Sequence, residues 1–308
     1  MLEVIAKVAS FVLVIVVGIA ASHSGKFGDG ASRLISKIVF NLTLPAAIIR
    51  AFESSTFDVS LLSLIGLGFA ANALPFFLSL LVYRNKPRDE RIVQQANVSG
   101  YNIGCFALAF VQAFFPASGA VATCLFDAGN SLMCTGGVWA LIRALVLGTD
   151  YQCFRDRARI FARTLFSSVP FDCYVVLILL SLVGIRIPAG VITLIDPIAN
   201  ANSFLAMLMI GLMIRFSLDA KKAAELARLL AWRFTFALFL CLAAAFVLPL
   251  DPAARTVVMV LAWAPAPSTG PLYTLWAGGD EGLAGVANAL TVFVGVVVMT
   301  ALVVIVGV

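Results

Sequence analysis

Histidine is almost absent from this sequence, since His23 is the only one among 308 residues. A metal site built from several histidines of one chain is therefore excluded. His23 lies at the edge of an apolar run, where it is badly placed to activate a serine such as Ser268. The sequence has no HExxH motif, and its six cysteines form no CxxC pair. We therefore expect no enzyme, no metal ion and no cofactor.

Charged residues are also scarce, at 12% of the chain, whereas 62% of the residues are hydrophobic and the mean hydropathy is +1.04. A soluble domain of this length is not so apolar, and the sequence predicts an all-α membrane protein with several spans. The formal net charge is +5. Because the basic residues lie in short loops between apolar runs, membrane topology explains them better than nucleic-acid binding.

Apolar runs of about 20 residues, the length that crosses a bilayer, occur ten times in our reading of the sequence. Most of the 21 basic residues fall in alternate loops, which the positive-inside rule assigns to the cytoplasm, so both termini lie outside. The first run could be a signal peptide, but it is longer than usual and we interpret it as the first span. The predicted spans are 4–22, 31–52, 59–83, 92–115, 118–147, 165–185, 189–216, 223–250, 254–276 and 282–307.

Two predicted spans contain helix-breaking residues. In the ninth, Pro265, Pro267 and Pro271 remove three backbone donors and disfavour helix in the residues before them. In the fourth, the break surrounds Gly100. Broken backbone at membrane depth persists only beside protein or a water-filled cavity, which is where transporters bind substrate. The alternative is that the prolines only kink the helix, and that Gly100 and Gly104 only permit close helix packing.

A polar connection divides the predicted spans into two sets of five. Aligning Gly104 with Gly270 places most spans of the first set on spans of the second. Because five is odd, the second set enters the membrane in the opposite orientation, which makes an inverted repeat. We predict a first repeat over 1–148, a cytoplasmic linker over 149–164 that contacts membrane lipid, and a second repeat over 165–308.

Crossed, broken helices would bring two helix N-termini together near the middle of the membrane. Their unpaired N–H groups and partial positive charge favour an anion, and we expect a carboxylate. Tyr101 would close one side of this pocket or pack beside it. The predicted donors are Asn102, Ile103 and Gly104 from one break, and Ser268, Thr269 and Gly270 from the other.

Asp127 is the carboxylate that we place deep within a span, where its charge costs about 2.5–3.5 kcal/mol. One interpretation is that it takes up a proton or binds a cation together with Asn130, one turn away. The other is a structural hydrogen bond to the broken fourth span. Asn41 and Asn202, in the second and seventh spans, are further candidates for the site, with helix packing as the alternative.

The NLTLP motif at 41–45, the DxGN motif at 127–130 and the proline-rich ninth span together resemble the auxin efflux carrier family. Its bacterial members include permeases and malonate-type transporters. The resemblance implies a fold shared with bile-acid sodium symporters, with helices 1, 2, 6 and 7 as a scaffold and helices 3–5 and 8–10 as a mobile transport domain. It also implies a homodimer and an elevator movement. The ninth span has no acidic residue before Asp280, which argues against the sodium site of the bile-acid branch.

The sequence therefore predicts a secondary transporter of small organic anions, such as carboxylates, in a bacterial inner membrane. An anion channel and a ligand-sensing membrane receptor on the same fold are the alternatives. A site between inverted halves favours alternating access over a continuous pore. The sequence does not specify the substrate, the direction of transport, or whether H⁺ or Na⁺ is the coupling ion.

Overall fold

The computed structural model of this chain describes residues 2–24, 27–28, 30–53, 59–148, 159, 162–163, 165–214 and 222–306. All regular secondary structure in these residues is helical. The chain is an all-α integral membrane protein, because several of its helices are long and apolar enough to cross a bilayer. The six candidate membrane spans are Ala6–His23, Ala31–Glu53, Ser60–Val82, Ala189–Met213, Ala223–Phe246 and Glu281–Val306.

The helices are numbered here in chain order, and the short π-helical segments separately. The α-helices are α1 (Leu2–His23), α2 (Ala31–Ile38), α3 (Leu44–Glu53), α4 (Ser63–Val82), α5 (Arg88–Asn97), α6 (Leu108–Phe114), α7 (Ala117–Leu132), α8 (Val138–Leu145), α9 (Val169–Leu182), α10 (Ala189–Met213), α11 (Ala223–Phe246), α12 (Pro252–Leu261), α13 (Thr269–Trp276) and α14 (Glu281–Val306). The π segments are π1 (Val39–Thr43), π2 (Ile103–Ala107) and π3 (Met133–Gly137), and a 3₁₀ turn covers Val59–Leu62.

Six of the predicted spans coincide with the six long apolar helices. The remaining four, at 92–115, 118–147, 165–185 and 254–276, consist of shorter helical pieces. Glycines and prolines interrupt the spans at 92–115 and 254–276, and π3 lies within the helical run of the span at 118–147. Most of the predicted linker at 149–164 lies outside the described residues.

Two sets of helices pack mainly among themselves. In one set, α1 and α3 pack along α10, and α9 packs against α3. In the other, α4 packs along α7, α11 against α12, and α13 against both α5 and α14. The close pairing of α4 with α7 explains Gly129 of the DxGN motif, because a Cβ atom there would overlap the backbone carbonyl of Ile65. Contacts of α3 and α9 with α7 join the two sets.

The hydrophobic core lies where these sets meet. Large side chains there are almost fully buried, among them Phe106, Phe110 and Phe126. The helix faces that point away from this core carry exposed apolar residues, such as Phe246 on α11 and Ile305 on α14. Burying apolar surface against lipid on the outside and against protein on the inside is the pattern of a membrane helix bundle.

Candidate functional site

The first interruption lies between α5, which ends at Asn97, and π2, which starts at Ile103. Gly100 has φ +89° in this segment, a conformation that side-chain-bearing residues rarely adopt. A Cβ atom on Gly100 would lie only 2.7 Å from Cγ of Pro267. Glycine is therefore required here both by the backbone conformation and by the close approach of the second interruption.

The guanidinium of Arg233, on α11, satisfies the free carbonyls of the first interruption. It donates to the carbonyl oxygens of Asn97 at 2.7 Å, Ser99 at 3.3 Å and Gly100 at 2.9 Å. Helix ends leave carbonyls without intrahelical partners, and lipid offers no donor for them. Arg233 is only 7% exposed, so a buried cation takes the place of water at this break.

The second interruption lies between α12 and α13, over residues 262–268. Its polar backbone is satisfied from α14, where Oγ1 of Thr291 accepts a 2.9 Å hydrogen bond from the amide of Ala266. The side-chain amide of Asn288 donates to the carbonyls of Ala266 and Pro267, at 3.0 and 3.1 Å. Pro271 lies in the first turn of α13, where helical N–H groups have no intrahelical acceptor and its missing donor costs little.

The two interruptions touch each other. The backbone amide of Asn102 donates a 2.8 Å hydrogen bond to the carbonyl of Pro265. Below this contact, Gly270 packs directly on the side-chain amide of Asn97. The Asn97 amide nitrogen in turn donates to Oγ1 of Thr274 at 2.9 Å. Residues separated by more than 160 positions in sequence therefore form one continuous polar region.

A cavity of about 90 Å³ lies beside this contact. It is well above the roughly 10–15 Å³ that one water molecule requires, so it has room for a small solute. Other parts of its wall come from the starts of two elements outside the breaks, Phe40 of π1 and Ser168 before α9. The predicted site residues that line it are Tyr101, Asn102, Ile103, Gly104, Asp127, Asn130, Pro267, Ser268 and Thr269.

Two of the predicted amide donors are already occupied within the fold. The amide of Asn102 bonds to Pro265, as described above, and the amide of Gly270 donates to the carbonyl of Pro267 at 3.1 Å. The first turn of a helix leaves its remaining N–H groups without intrahelical acceptors. Ile103 and Gly104 at the start of π2, and Thr269 at the start of α13, are therefore the backbone groups suited to an anion.

Asp127 forms the polar wall of the cavity and is 5% exposed. Its Oδ2 atom accepts a 2.6 Å hydrogen bond from the hydroxyl of Tyr174, and its Oδ1 atom accepts one of 2.7 Å from Nδ2 of Asn130. The Asn130 amide also pairs with the backbone of Tyr101, accepting from its N–H at 3.0 Å and donating to its carbonyl at 2.9 Å. Asp127 is thus linked to the first interruption through Asn130.

Asn41 and Asn202 lie elsewhere. The exposed side chain of Asn41 donates to the carbonyl of Lys37 in its own helix at 2.8 Å. Asn202 is fully buried and accepts a 3.0 Å hydrogen bond from Oγ1 of Thr43. Neither lines the cavity. Asn41 and Thr43 are two residues apart and therefore point to different sides of the second span, and Thr43 is the one that meets α10.

No protein-family model matches this chain, and no curated protein matches it. The residues of the site are therefore the basis for its function. Over the described ranges, no group of three or more His, Cys, Asp or Glu side chains is arranged to hold a metal ion. The cavity offers helix N-termini, small hydroxyl side chains and one carboxylate, which are groups suited to binding a small polar solute.

Sequence reasoning missed four residues that build this region. The positive-inside rule alone counts Arg233 among the cytoplasmic basic residues, although it lies about three turns into α11, and that depth is the available signal. Tyr174 carries a hydroxyl within an apolar run, where a buried phenol needs a partner. Asn288 and Thr291 are spaced three residues apart on α14, so they lie on one face, which indicates a polar contact for that helix.

Proposed function

We propose that this protein is a secondary transporter of small organic anions, carboxylates foremost, that binds its substrate in the cavity between the two helix interruptions. The observation that carries the proposal is the hydrogen bond from Asn102 to Pro265, with the cavity beside it. Two helix starts, at Ile103 and Thr269, border that cavity, and the positive ends of two helices favour a carboxylate.

The proposed architecture is that of the auxin efflux carrier family, which the sequence motifs resemble. It has ten spans in two inverted sets of five, with the fourth and ninth broken and crossed. The proposed membrane is the bacterial inner membrane, with both termini outside and a homodimer as the assembly. We call α1–α3, α9 and α10 the scaffold group, and α4–α8 with α11–α14 the transport group.

An elevator movement requires the transport group to move as one body. Polar contacts between the two halves of the chain support this part of the proposal. Arg228 pairs with Glu90 at 3.1 Å, and the hydroxyl of Tyr273 donates to the carbonyl of Cys134 at 2.7 Å. Together with the Arg233 bonds to the first interruption, these contacts join helices of both halves within the transport group.

Uptake into proteoliposomes tests the proposal. The full chain is reconstituted and the uptake of radiolabelled malonate is measured against empty liposomes, with succinate and acetate as competitors. The cavity is filled by a phenylalanine side chain in three variants, Asn102→Phe, Ser268→Phe and Thr269→Phe. We expect the initial rate of each to fall at least tenfold, which is about the effect of losing one good hydrogen bond to a charged ligand. Ser63→Phe is the matched control, because Ser63 is exposed at the start of α4.

Each other outcome has a distinct meaning. If folded protein transports malonate equally well in all three cavity variants, the binding site is elsewhere. Single-channel currents far above carrier turnover would assign an anion channel. Saturable malonate binding by the detergent-purified protein, without uptake, would assign a ligand-sensing receptor.

A further inference from the structure

The hydrogen bond between Tyr174 and Asp127 joins the two groups of helices. Tyr174 lies on α9, in the scaffold group, and Asp127 lies on α7, in the transport group. Their oxygen atoms are 2.6 Å apart, the length of a strong bond to an ionised acceptor. Tyr174 is 1% exposed, so water does not compete for this bond. The contact must break when one group moves past the other.

The carboxylate at this boundary also faces the proposed substrate. Asp127 lines the cavity together with Ser268 and Thr269. An anion bound there places a second negative charge beside the carboxylate in a medium that screens poorly. Two negative charges at this distance repel each other, and protonation of Asp127 removes one of them. Binding of the anion therefore favours uptake of a proton by Asp127.

Within the part of the chain that the structure describes, the other ionisable groups that face Asp127 are uncharged in their ordinary state at neutral pH. They are the thiols of Cys105 on π2, Cys124 on α7 and Cys134 on π3, and the phenol of Tyr174. Arg233, on α11, interacts with the neighbouring Tyr101 and Cys134, and its donors are engaged with backbone carbonyls. Asp127 is therefore the group near the cavity whose charge a proton can change.

We propose that Asp127 and Tyr174 form a proton-operated latch, in which ionised Asp127 holds the transport group on the scaffold and one proton taken up with the substrate anion releases it. The inference rests on the proposed transport function and names its coupling ion. A protonated carboxyl group is a weaker acceptor than a carboxylate, so protonation weakens the bond across the boundary. One proton accompanies each substrate molecule, and a monocarboxylate then crosses without net charge.

The surroundings of Asp127 favour a proton over a metal cation. Hard cations require several oxygen ligands at once. Both carboxylate oxygens of Asp127 already accept hydrogen bonds, from Tyr174 and Asn130. Both donors direct hydrogen atoms at the carboxylate oxygens, so the lone pairs that would coordinate a metal cation are engaged in hydrogen bonds. This arrangement suits a carboxylate that binds a proton better than one that coordinates a cation.

The test compares three variants in the full chain, reconstituted in liposomes with a pH-sensitive dye inside. Asp127→Asn fixes the neutral form, Tyr174→Phe removes the hydroxyl from the scaffold side, and Tyr273→Phe removes a buried tyrosine hydroxyl whose bond stays within the transport group. Malonate uptake and internal acidification are recorded from acidic to alkaline external pH. Binding of malonate by each purified variant is measured in parallel, by the shift in its thermal unfolding midpoint.

In the wild type we expect malonate entry to acidify the lumen, and the rate to fall about tenfold per pH unit once Asp127 is ionised. Asp127→Asn should abolish this pH dependence, so that the malonate exchange measured with this variant has the same rate at every external pH. Tyr174→Phe should raise the rate of malonate uptake at alkaline pH about tenfold, because the movement no longer has to break a hydrogen bond to a charged group. Tyr273→Phe should keep the pH profile of the wild type.

Malonate uptake without acidification, or an unchanged pH profile in Tyr174→Phe, would overturn the latch and leave the transport function standing. Failure of folded wild-type protein to transport malonate or its competitors would overturn both. If Asp127→Asn does not fold, the acidification measured with the wild type and the comparison of Tyr174→Phe with Tyr273→Phe still decide the outcome.

Discussion

The guanidinium of Arg233 donates a 2.9 Å hydrogen bond to the carbonyl oxygen of Gly100, at the point where the first helix interruption has its left-handed residue. A side chain from the second half of the chain thus determines the backbone of the first half. The same guanidinium holds the carbonyls of Asn97 and Ser99. One buried cation stabilises the whole turn that carries the chain from α5 into the site.

Replacing Arg233 should destabilise the protein strongly. In Arg233→Met the carbonyls of the interruption lose their donor in a region without water, and we expect a loss of about 3 kcal/mol. Thermal unfolding in detergent measures it as a lower midpoint. Arg233→Lys should restore little of the lost stability, because a single ammonium group cannot reproduce the planar array of donors on the guanidinium.

Arg228→Met is the matched control for this change. Arg228 is on the same helix, but 44% of its side chain is exposed and its partner is Glu90. Ion pairs of this kind contribute about 0–1 kcal/mol, so its midpoint should stay close to that of the wild type. Equal midpoints for the two methionine variants would contradict a structural role for Arg233.

Gly100→Ala should be more harmful than a glycine substitution elsewhere. Alanine at φ +89° is strained, and its methyl group would lie 2.8 Å from Sγ of Cys134 as well as against Pro267. We expect a cost of about 3 kcal/mol, again as a lower midpoint. Gly66→Ala, in α4, meets no atom within 4 Å and should stabilise its helix by about 0.5–1 kcal/mol. A higher midpoint for Gly100→Ala would show that the tight turn is not needed.

The positions of the two interruptions could be predicted from sequence because proline and glycine act locally. The closely spaced Pro265 and Pro267 interrupt their span, whereas the single prolines Pro75 and Pro197 lie inside the continuous helices α4 and α10. Pro267 and the two residues after it line the cavity. A carboxylate within an apolar run, such as Asp127, indicates for a similar reason that it has a partner, and it accepts hydrogen bonds from Tyr174 and Asn130. Its role in coupling stays a prediction. Such signals depend on one residue and its immediate neighbours.

Long-range pairing could not be predicted in the same way. Arg233 interacts with carbonyls more than 130 positions away. Its depth in α11 indicates a buried side chain, but nothing in α11 indicates which carbonyls accept its hydrogen bonds. Asn41 bonds to the carbonyl of Lys37 in its own helix, whereas Thr43, two residues further on, bonds to Asn202 of α10. The partner of each polar group is decided by the packing of helices, which a single span does not encode.

The ion pair between Lys222 and Asp280 gives a pH-dependent contribution to stability. Partial burial raises the pKa of Asp280. The hydrogen bonds from Lys222 and from the amide of Leu283 lower it by more, so the pKa lies below its usual 3.8. The stabilisation is therefore complete above that usual value and is lost as the pH falls through the lower, folded-state pKa. Because both side chains are partly exposed, we expect at most about 1 kcal/mol.

Unfolding midpoints measured from neutral pH to strongly acidic pH check this expectation. Asp280→Asn should lose the contribution at neutral pH and converge with the wild type at the acidic end. The Lys222→Met variant should behave similarly, although Asp280 would keep its bond from the amide of Leu283 at 3.0 Å. A constant difference between wild type and Asp280→Asn across the whole range would show that the ion pair is not the cause.

Thr291 and Thr300 both lie on α14 but have different partners, which allows a test of the second interruption. Oγ1 of Thr291 accepts a hydrogen bond from the backbone amide of Ala266. Oγ1 of Thr300 instead donates a hydrogen bond to the carbonyl of Val296 in its own helix. Thr291→Val leaves a buried amide without an acceptor, at a cost of about 1–3 kcal/mol. Thr300→Val removes a bond that its helix does not need, and its midpoint should change little.

Since Ala266 precedes Pro267 at the cavity wall, we also expect Thr291→Val to weaken malonate binding, measured by titration of the purified protein, whereas Thr300→Val should bind as the wild type does. Equal malonate affinity in both variants would mean that the second interruption keeps its shape without α14.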